Sequence, residues 1–243
     1  MVTLTIDGRE IQAVEGTTVL NAARENNIDI PSLCDAEAVA PYGACRLCIV
    51  EITNARGRER LVTSCLYPVE EGLTVRTNSE RITIHRKMLI ELLLARCPDS
   101  EVIQEMAKKL GVEASRFTPH EDNKKCILCA LCARVCREVV GVSAISLAKR
   151  GVNRQLSTPF NVDYAEACIG CGSCAYVCPT GAISSEDIGD RRIISWPHNQ
   201  MEFKLRKCKV CGKYWAPQKQ IEYVARISGT AVRDYEVCPD CRE

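Results

Sequence analysis

The chain has 243 residues, of which 17 are cysteine, and its 32 lysines and arginines nearly balance its 31 aspartates and glutamates. A formal net charge of +1 offers no general attraction for nucleic acid or anionic lipid, which argues against both partners. The longest apolar run, near Met88 to Ala95, is interrupted by Glu91 and is far shorter than the roughly 20 residues of a membrane span. The N-terminal residues lack the features of a secretory signal, so we expect a cytoplasmic protein with reduced thiolates rather than disulfides.

Residues 1–78 predict a compact α+β domain. Alternating strands over Val2–Ile6 and Glu10–Val14 flank an Asp-Gly turn, which is a strong hairpin signal. A helix capped by Thr17 or Thr18 follows. Three further strands are expected at 49–53, 61–65 and 73–77.

Residues 79–120 predict a helical connector with no reactive cluster of side chains. One amphipathic helix is expected over 79–96, ended by Pro98, and a second over 100–110 with Gly111 after its last turn. The first helix is predicted from the apolar positions Ile82, Leu89, Leu92 and Leu93 and the basic positions His85, Arg86 and Lys87.

The cysteines fall into four groups of four, with Cys97 left over. Small domains bury too little apolar surface to be stable alone, so metal centres are expected to close each core. The groups are Cys34, Cys45, Cys48 and Cys65; Cys126, Cys129, Cys132 and Cys136; Cys168, Cys171, Cys174 and Cys178; and Cys208, Cys211, Cys238 and Cys241.

The second and third groups form an internal repeat, because CILCALCARVC and CIGCGSCAYVC share the spacing C-x2-C-x2-C-x3-C at a separation of 42 residues. In two-cluster ferredoxins the fourth cysteine of each copy binds the other cluster. We therefore predict a bacterial-type ferredoxin domain with two 4Fe-4S centres over residues 121–190, with zinc or disulfides as the alternatives. Pro179 completes the bacterial pattern, whereas Arg137 stands at the equivalent place in the first copy. The expected ligands are Cys126, Cys129, Cys132 and Cys178 for the first centre, and Cys168, Cys171, Cys174 and Cys136 for the second.

The first group has the spacing C-x10-C-x2-C-x16-C, which differs from that of plant-type ferredoxins. The hairpin, helix and loop before it nevertheless have the order of a β-grasp ferredoxin domain. Gly43 and Ala44 are small enough to let backbone amides approach cluster sulfurs. We predict a 2Fe-2S centre bound by Cys34, Cys45, Cys48 and Cys65, with loop-bound zinc as the alternative.

Residues 203–243 have a different composition, with a net charge of +4 and a C-x2-C pair at each end. This is typical of a zinc ribbon, and a rubredoxin-like iron site has much the same pattern. The spacer could form short strands over the site. Its apolar residues are Tyr214, Trp215, Ile221, Tyr223, Val224, Ile227 and Val232, and the expected metal ligands are Cys208, Cys211, Cys238 and Cys241.

The segments PSLC, GACRLCIVEI and TSC, together with both copies of the repeat, resemble the N-terminal iron-sulfur region of the large subunit of complex I-like NADH dehydrogenases. They are equally similar to the small diaphorase subunit of NAD-linked hydrogenases and to the front of iron-only hydrogenases. The resemblance covers roughly residues 2–190. In that family a His or Cys and three more cysteines bind an additional 4Fe-4S cluster after the connector helix. Only Cys97 stands at that place, so we expect that cluster to be absent and Cys97 to be a buried, inert thiol, with a vestigial or intermolecular ligand as the alternative.

The resemblance implies a non-catalytic electron-transfer subunit of a soluble hydrogenase, formate dehydrogenase, transhydrogenase or electron-bifurcating complex. It also implies an FMN- and NAD(P)H-binding flavoprotein partner and a catalytic or ferredoxin-linked partner. The sequence itself has no G-x-G-x-x-G after a strand and no P-loop, and its three histidines, His85, His120 and His198, are scattered. The competing hypotheses are a freestanding polyferredoxin and a metal-dependent regulatory or binding module.

Overall fold

The computed structural model describes residues 1–120, 124–158 and 167–242. The chain divides into two compact units, Met1–Cys129 and Ala130–Glu243. The domain predicted over 121–190 includes positions 121–123 and 159–166, and the C-terminal domain includes position 243; these positions lie outside the described residues. Within the described ranges, no helix is both long enough and apolar enough to cross a bilayer.

A five-stranded mixed sheet forms the framework of the first unit. Its strands are β1 (Val2–Ile6), β2 (Arg9–Ala13), β3 (Ile49–Thr53), β4 (Glu59–Thr63) and β5 (Thr74–Arg76), in the order β2-β1-β5-β3-β4. β1 and β5 are parallel, and the other neighbours are antiparallel. All five strands were predicted, although β2 begins one residue and β4 two residues earlier than expected.

Helix α1 (Val19–Glu25) packs its apolar face into the core of this sheet. Thr18 caps the helix, since its Oγ1 accepts a hydrogen bond from the amide of Asn21 at 3.2 Å. Removing this face and the sheet residues from water provides the main driving force for folding the domain. The helix residues in the core are Val19, Leu20, Ala22 and Ala23.

Helices α2 (Glu80–Arg96) and α3 (Glu101–Leu110) form the predicted connector. Ser79 caps α2, and Gly111 ends α3 in the left-handed conformation at φ 67°. The predicted division of α2 into faces is partly wrong. Arg86 is buried in line with Ile82 and Ile90, because residues four apart lie on one face of a helix. Leu92 lies off this face and is 45% exposed.

Within the described part of the second unit, a short helix follows each cysteine loop of the repeat. Helix α4 (Leu131–Arg134) continues into a π-helical turn, Val135–Val139, whereas α5 (Ser173–Tyr176) ends before Cys178. Between the two copies, β6 (Ser146–Ala148) and β7 (Gln155–Ser157) pair as a small antiparallel sheet.

A four-stranded antiparallel sheet follows, with strands β8 (Ser184–Ile188), β9 (Arg191–Trp196), β10 (Asn199–Lys207) and β11 (Tyr214–Pro217) in the order β11-β10-β9-β8. The sequence interpretation did not identify β8, β9 and β10. In β10 a signal was present, because Met201, Phe203 and Leu205 alternate with polar residues.

The spacer between the last two cysteine pairs is only partly a strand, which corrects the prediction made for it. Tyr214 and Trp215 lie in β11, but Ile221, Tyr223, Val224 and Ile227 lie in helix α6 (Gln218–Ser228), and Val232 begins a 3-10 turn. Helix α6 buries Ile221 and Ala225. These two residues are four apart, the spacing of neighbours on one helix face, and this favours a helix over a strand.

Candidate iron-sulfur and metal centres

The four cysteines of the N-terminal group are buried where β3 and β4 meet the long loop before β3. Cys48 precedes β3 and Cys65 follows β4, so the pairing of these strands brings the two cysteines together. Cys34 and Cys45 are joined across the loop, because the Cys45 amide donates to Cys34 Sγ at 3.4 Å. The Leu33 amide in turn donates to Cys45 Sγ at 3.5 Å.

The thiols of this group form two hydrogen-bonded pairs. The hydrogen bond between Cys34 and Cys45 lowers the pKa of Cys45 to about 6 and raises the pKa of Cys34. The bond between Cys48 and Cys65 likewise lowers the pKa of Cys48 to about 6 and raises that of Cys65. Each pair therefore has one readily ionised sulfur. Two such pairs fit a 2Fe-2S cluster, which has two irons and is bound by four cysteines.

The cysteines predicted to bind the first 4Fe-4S centre are divided between the two units. Cys126 and Cys129 belong to the first unit, and Cys132 and Cys178 to the second. The Leu128 amide donates to Cys126 Sγ at 3.4 Å. The assignment of these four residues to one centre remains a prediction.

Four cysteines line a single small cavity of about 20 Å³ within the second unit, and they are the four that the spacing assigned to the second 4Fe-4S centre. Cys136, from the first copy of the repeat, lies there with the first three cysteines of the second copy. The rest of the wall is mainly apolar. The cavity cysteines are Cys136, Cys168, Cys171 and Cys174, and the larger apolar side chains are Val140, Val142, Ile145, Ile169 and Ile194.

The electrostatics of this cavity favour a positively charged occupant. Burial, together with the neighbouring sulfurs, raises the pKa of Cys168 to about 11 and that of Cys174 to about 12. Backbone amides oppose this effect: Ala144 donates to Cys136 Sγ at 3.2 Å, and Gly170 donates to Cys168 Sγ at 3.5 Å. Buried thiolates are stable only beside a compensating charge, which the irons of a 4Fe-4S cluster would supply. The residues present therefore fit that group.

The C-terminal cysteines form a compact four-sulfur group: the sulfurs of Cys208, Cys211, Cys238 and Cys241 all lie within 4.8 Å of one another. The distance from Cys211 Sγ to Cys238 Sγ is 3.7 Å, close to the edge of about 3.8 Å in a tetrahedron with zinc-sulfur bonds of about 2.3 Å. Backbone amides, chiefly that of Cys238 at 3.3 Å, lower the pKa of Cys208 to about 6. This geometry fits one tetrahedral zinc or one iron.

Two family models match the chain in the regions of these centres. The model described as a 2Fe-2S iron-sulfur cluster binding domain matches residues 1–80, and that of a 4Fe-4S dicluster domain matches residues 125–182. A chain in the crystal structure of an NAD+-reducing [NiFe]-hydrogenase in the H2-reduced state superposes with a TM-score of 0.65 at 30% identity. The match covers 74% of this chain and 85% of that one.

Curated relatives agree with this match. The NADP-reducing hydrogenase subunit HndD of Solidesulfovibrio fructosivorans is 34% identical over 212 residues. The G 2 subunit of the NADH-quinone oxidoreductase of Rhizobium meliloti is 33% identical over 210 residues. The chain belongs to this family of iron-sulfur subunits.

The two family models together cover the two ferredoxin-type regions of this iron-sulfur subunit. Alignments to the relatives cover 75% and 76% of the chain, which spans 36% of the hydrogenase subunit and 24% of the NADH-quinone oxidoreductase subunit. The family models confirm the predicted 2Fe-2S and 4Fe-4S domains. The C-terminal four-cysteine group lies after both matched ranges.

Cys97 of the iron-sulfur subunit lies at the end of α2 and is buried. Its Sγ donates a hydrogen bond to the Leu93 carbonyl at 3.0 Å, and burial raises the pKa of Cys97 to about 12. A thiol with so high a pKa stays protonated at neutral pH and is a poor nucleophile. The expected burial of Cys97 is observed, and its inertness stays a prediction.

Two residues near the candidate centres were missed by the sequence interpretation. Arg86 of α2 donates to the carbonyls of Leu47 and Ile49, on either side of Cys48. Tyr223 of α6 donates its hydroxyl to the Val140 carbonyl at 2.8 Å, in the segment that follows Cys136. A basic residue in line with buried apolar positions could have indicated Arg86, but Tyr223 has no local signal because its partner is 83 residues away.

Proposed function

We propose that the chain relays single electrons through one 2Fe-2S and two 4Fe-4S clusters, as a non-catalytic subunit of a multisubunit NAD(P)-linked oxidoreductase. One partner would be a flavoprotein that binds FMN and NAD(P)H, and the other a catalytic or ferredoxin-linked subunit. The complex would be a hydrogenase, formate dehydrogenase, transhydrogenase or electron-bifurcating enzyme. Membership of the iron-sulfur subunit family supports this role. When bound, each cluster takes up and gives up one electron.

The proposed modules are a 2Fe-2S domain over 1–78, a helical connector over 79–120, a two-cluster domain over 121–190 and a zinc ribbon over 203–243. Zinc is preferred to iron for the last site. The proposed ligand sets are Cys34, Cys45, Cys48 and Cys65 for 2Fe-2S; Cys126, Cys129, Cys132 and Cys178 for the first 4Fe-4S; Cys168, Cys171, Cys174 and Cys136 for the second; and Cys208, Cys211, Cys238 and Cys241 for zinc.

The single observation that carries the proposal is the apolar cavity lined by Cys136, Cys168, Cys171 and Cys174. Its walls limit the access of water to the sulfurs, and backbone amides donate to them. Burial and hydrogen bonds to sulfur are the means by which a protein sets the potential of an iron-sulfur centre. The side chains of the cavity therefore suit electron storage and transfer rather than bond-making chemistry.

The electron donor is assigned to a partner because the sequence contains no recognisable nucleotide-binding motif. NAD(P)H releases electrons as a hydride, whereas the clusters accept them singly, and a flavin converts between the two. The printed names of the relatives include NADP-reducing hydrogenase and NADH-quinone oxidoreductase subunits, which is consistent with a donor of this kind.

The proposal is tested by metal analysis and electron paramagnetic resonance (EPR) of the full chain, purified without oxygen. We expect about ten irons and about one zinc per chain, with signals of one 2Fe-2S and two 4Fe-4S centres after reduction by dithionite. NADH alone should leave the isolated chain oxidised.

Each other result would change a specific part of the proposal. About eleven irons without zinc would make the C-terminal site rubredoxin-like, and about fourteen would require an additional 4Fe-4S cluster. Turnover of NADH by the isolated chain would contradict the assignment of the donor to a partner. Purification from its native cell as a lone monomer would favour a freestanding polyferredoxin.

A further inference from the structure

Arg86 places a charged group inside the first unit, where charges are rare. It lies on α2 between Ile82 and Ile90, and only 9% of its surface is exposed. Burying an arginine costs free energy unless its N–H donors form hydrogen bonds and its charge interacts favourably with its surroundings.

The donors of Arg86 are used to hold the segment that carries Cys48. Nε donates to the Leu47 carbonyl at 3.1 Å, and Nη2 donates to the Ile49 carbonyl at 2.9 Å. The intervening Cys48 carbonyl accepts from both the amide and the hydroxyl of Ser64, at 3.0 and 2.8 Å. Three consecutive carbonyls are therefore fixed around one proposed cluster ligand.

The charge of Arg86 is not cancelled by these contacts, because backbone carbonyls are neutral. Burial lowers the pKa of Arg86, whereas the negative charges of Cys48, Asp29 and Asp7 act in the opposite direction. A guanidinium stays protonated in proteins. A positive charge thus lies beside the backbone on either side of Cys48, in a region largely shielded from water.

We propose that Arg86 is a positioning residue for the 2Fe-2S centre, which fixes the Cys48 segment and raises the reduction potential of the cluster through its buried charge. This inference rests on the proposed function. Reduction adds one electron and hence one negative charge to the cluster without making or breaking a protein bond. A nearby positive charge stabilises the reduced form more than the oxidised form, and low exposure to solvent limits screening.

The test is a redox titration of the full chain monitored by EPR, with the 4Fe-4S signals as an internal reference. In Arg86→Gln, the reduced-to-oxidised ratio of the 2Fe-2S centre at a fixed potential should fall about threefold to tenfold, which for one electron is about 28 to 59 mV. Arg86→Lys retains the charge and should restore most of the ratio. The matched control is Arg81→Gln on the same helix. Arg81 is largely exposed and lies 3.9 Å from Glu51, and its removal should change the ratio less than twofold.

The outcomes separate this inference from the proposed function. An intact 2Fe-2S signal with an unchanged potential in Arg86→Gln would overturn the role of Arg86 and leave the electron relay standing. A wild-type chain with no 2Fe-2S signal would overturn the relay itself. If Arg86→Gln does not bind the cluster, the Arg86→Lys variant provides the test. A bound cluster with a potential near that of the wild type supports the inference. A potential lowered by the amount expected for Arg86→Gln contradicts it.

Discussion

The two copies of the cysteine repeat, 126–136 and 168–178, form the same loop from different residues. In the first copy φ is positive at Leu128 and Ala130, 53° and 63°; in the second it is positive at Gly170 and Gly172, 73° and 79°. In both copies the amide two residues after the first cysteine donates to that sulfur. A left-handed residue with a Cβ costs about 1 to 2 kcal/mol. The first copy therefore adopts the loop against local preference, which indicates that the loop geometry itself is required.

The copies differ again after the fourth cysteine. Cys178 is followed by Pro179, and α5 has already ended, whereas Cys136 is followed by Arg137 inside the π-helical turn Val135–Val139. π-Helical turns occur frequently at functional sites. Here the turn carries Cys136, which lines the cavity of the second copy. One copy thus has the more favourable loop residues, and the other has the longer helix.

The largest effect should come from replacing the fourth cysteine of each copy by alanine. In the proposed ligand sets, each fourth cysteine binds the cluster of the other copy. Cys136→Ala should abolish the 4Fe-4S signal that Cys171→Ala abolishes, and Cys178→Ala should abolish the one that Cys129→Ala abolishes. The EPR spectra of the four reduced variants provide the measurement. Cys97→Ala is the control and should retain both signals, since Cys97 is buried and burial raises the pKa of its thiol.

The opposite pairing of signals would contradict the proposed ligand sets of the two 4Fe-4S centres. If Cys136→Ala instead removed the signal that depends on Cys129, each copy would bind its own cluster. The second copy would still hold a cluster through Cys168 and Cys174, and the position of Cys136 in the same cavity would then need an explanation other than ligation.

Much of this architecture could be predicted because it depends on short-range patterns. The cysteine spacing identified the groups, and the threonine pair Thr17 and Thr18 marked the start of the first helix, which Thr18 caps. The structure differs where distant residues decide the outcome. Arg86 is buried because carbonyls 37 and 39 positions away accept its hydrogen bonds. Local periodicity could place Arg86 on the buried face of its helix but does not identify the carbonyls that it contacts. It identifies neither partner of the contact between Tyr223 and Val140.

A second prediction concerns the longer helix of the first copy. Arg137→Pro imitates the second copy, but a proline inside a helix removes an amide donor and crowds the preceding turn, at a cost of about 3 kcal/mol. We expect Cys136 to be displaced and the second 4Fe-4S centre to be lost at a lower temperature, as followed by visible absorbance.

The matched control for this substitution is Arg137→Ala, which removes the same side chain. That side chain is 65% exposed and pairs with Glu138, and such surface pairs contribute less than about 1 kcal/mol. If the proline variant behaved like the alanine variant, the π-helical turn would be unnecessary for placing Cys136.

The smallest of these effects concerns the loop residues and tests why the second copy uses glycine. A Cβ at Gly170 would lie 2.5 Å from Phe203 Cγ, and the residue is left-handed, so Gly170→Ala should cost about 2 kcal/mol. Leu128→Ala is the matched change in the first copy. It keeps a Cβ in the same left-handed conformation and removes only a half-buried side chain, so we expect a loss of about 1 kcal/mol. Thermal loss of the cluster absorbance measures both. Equal losses would show that Phe203 can move aside, and the two loops would then differ in residue type without differing in packing.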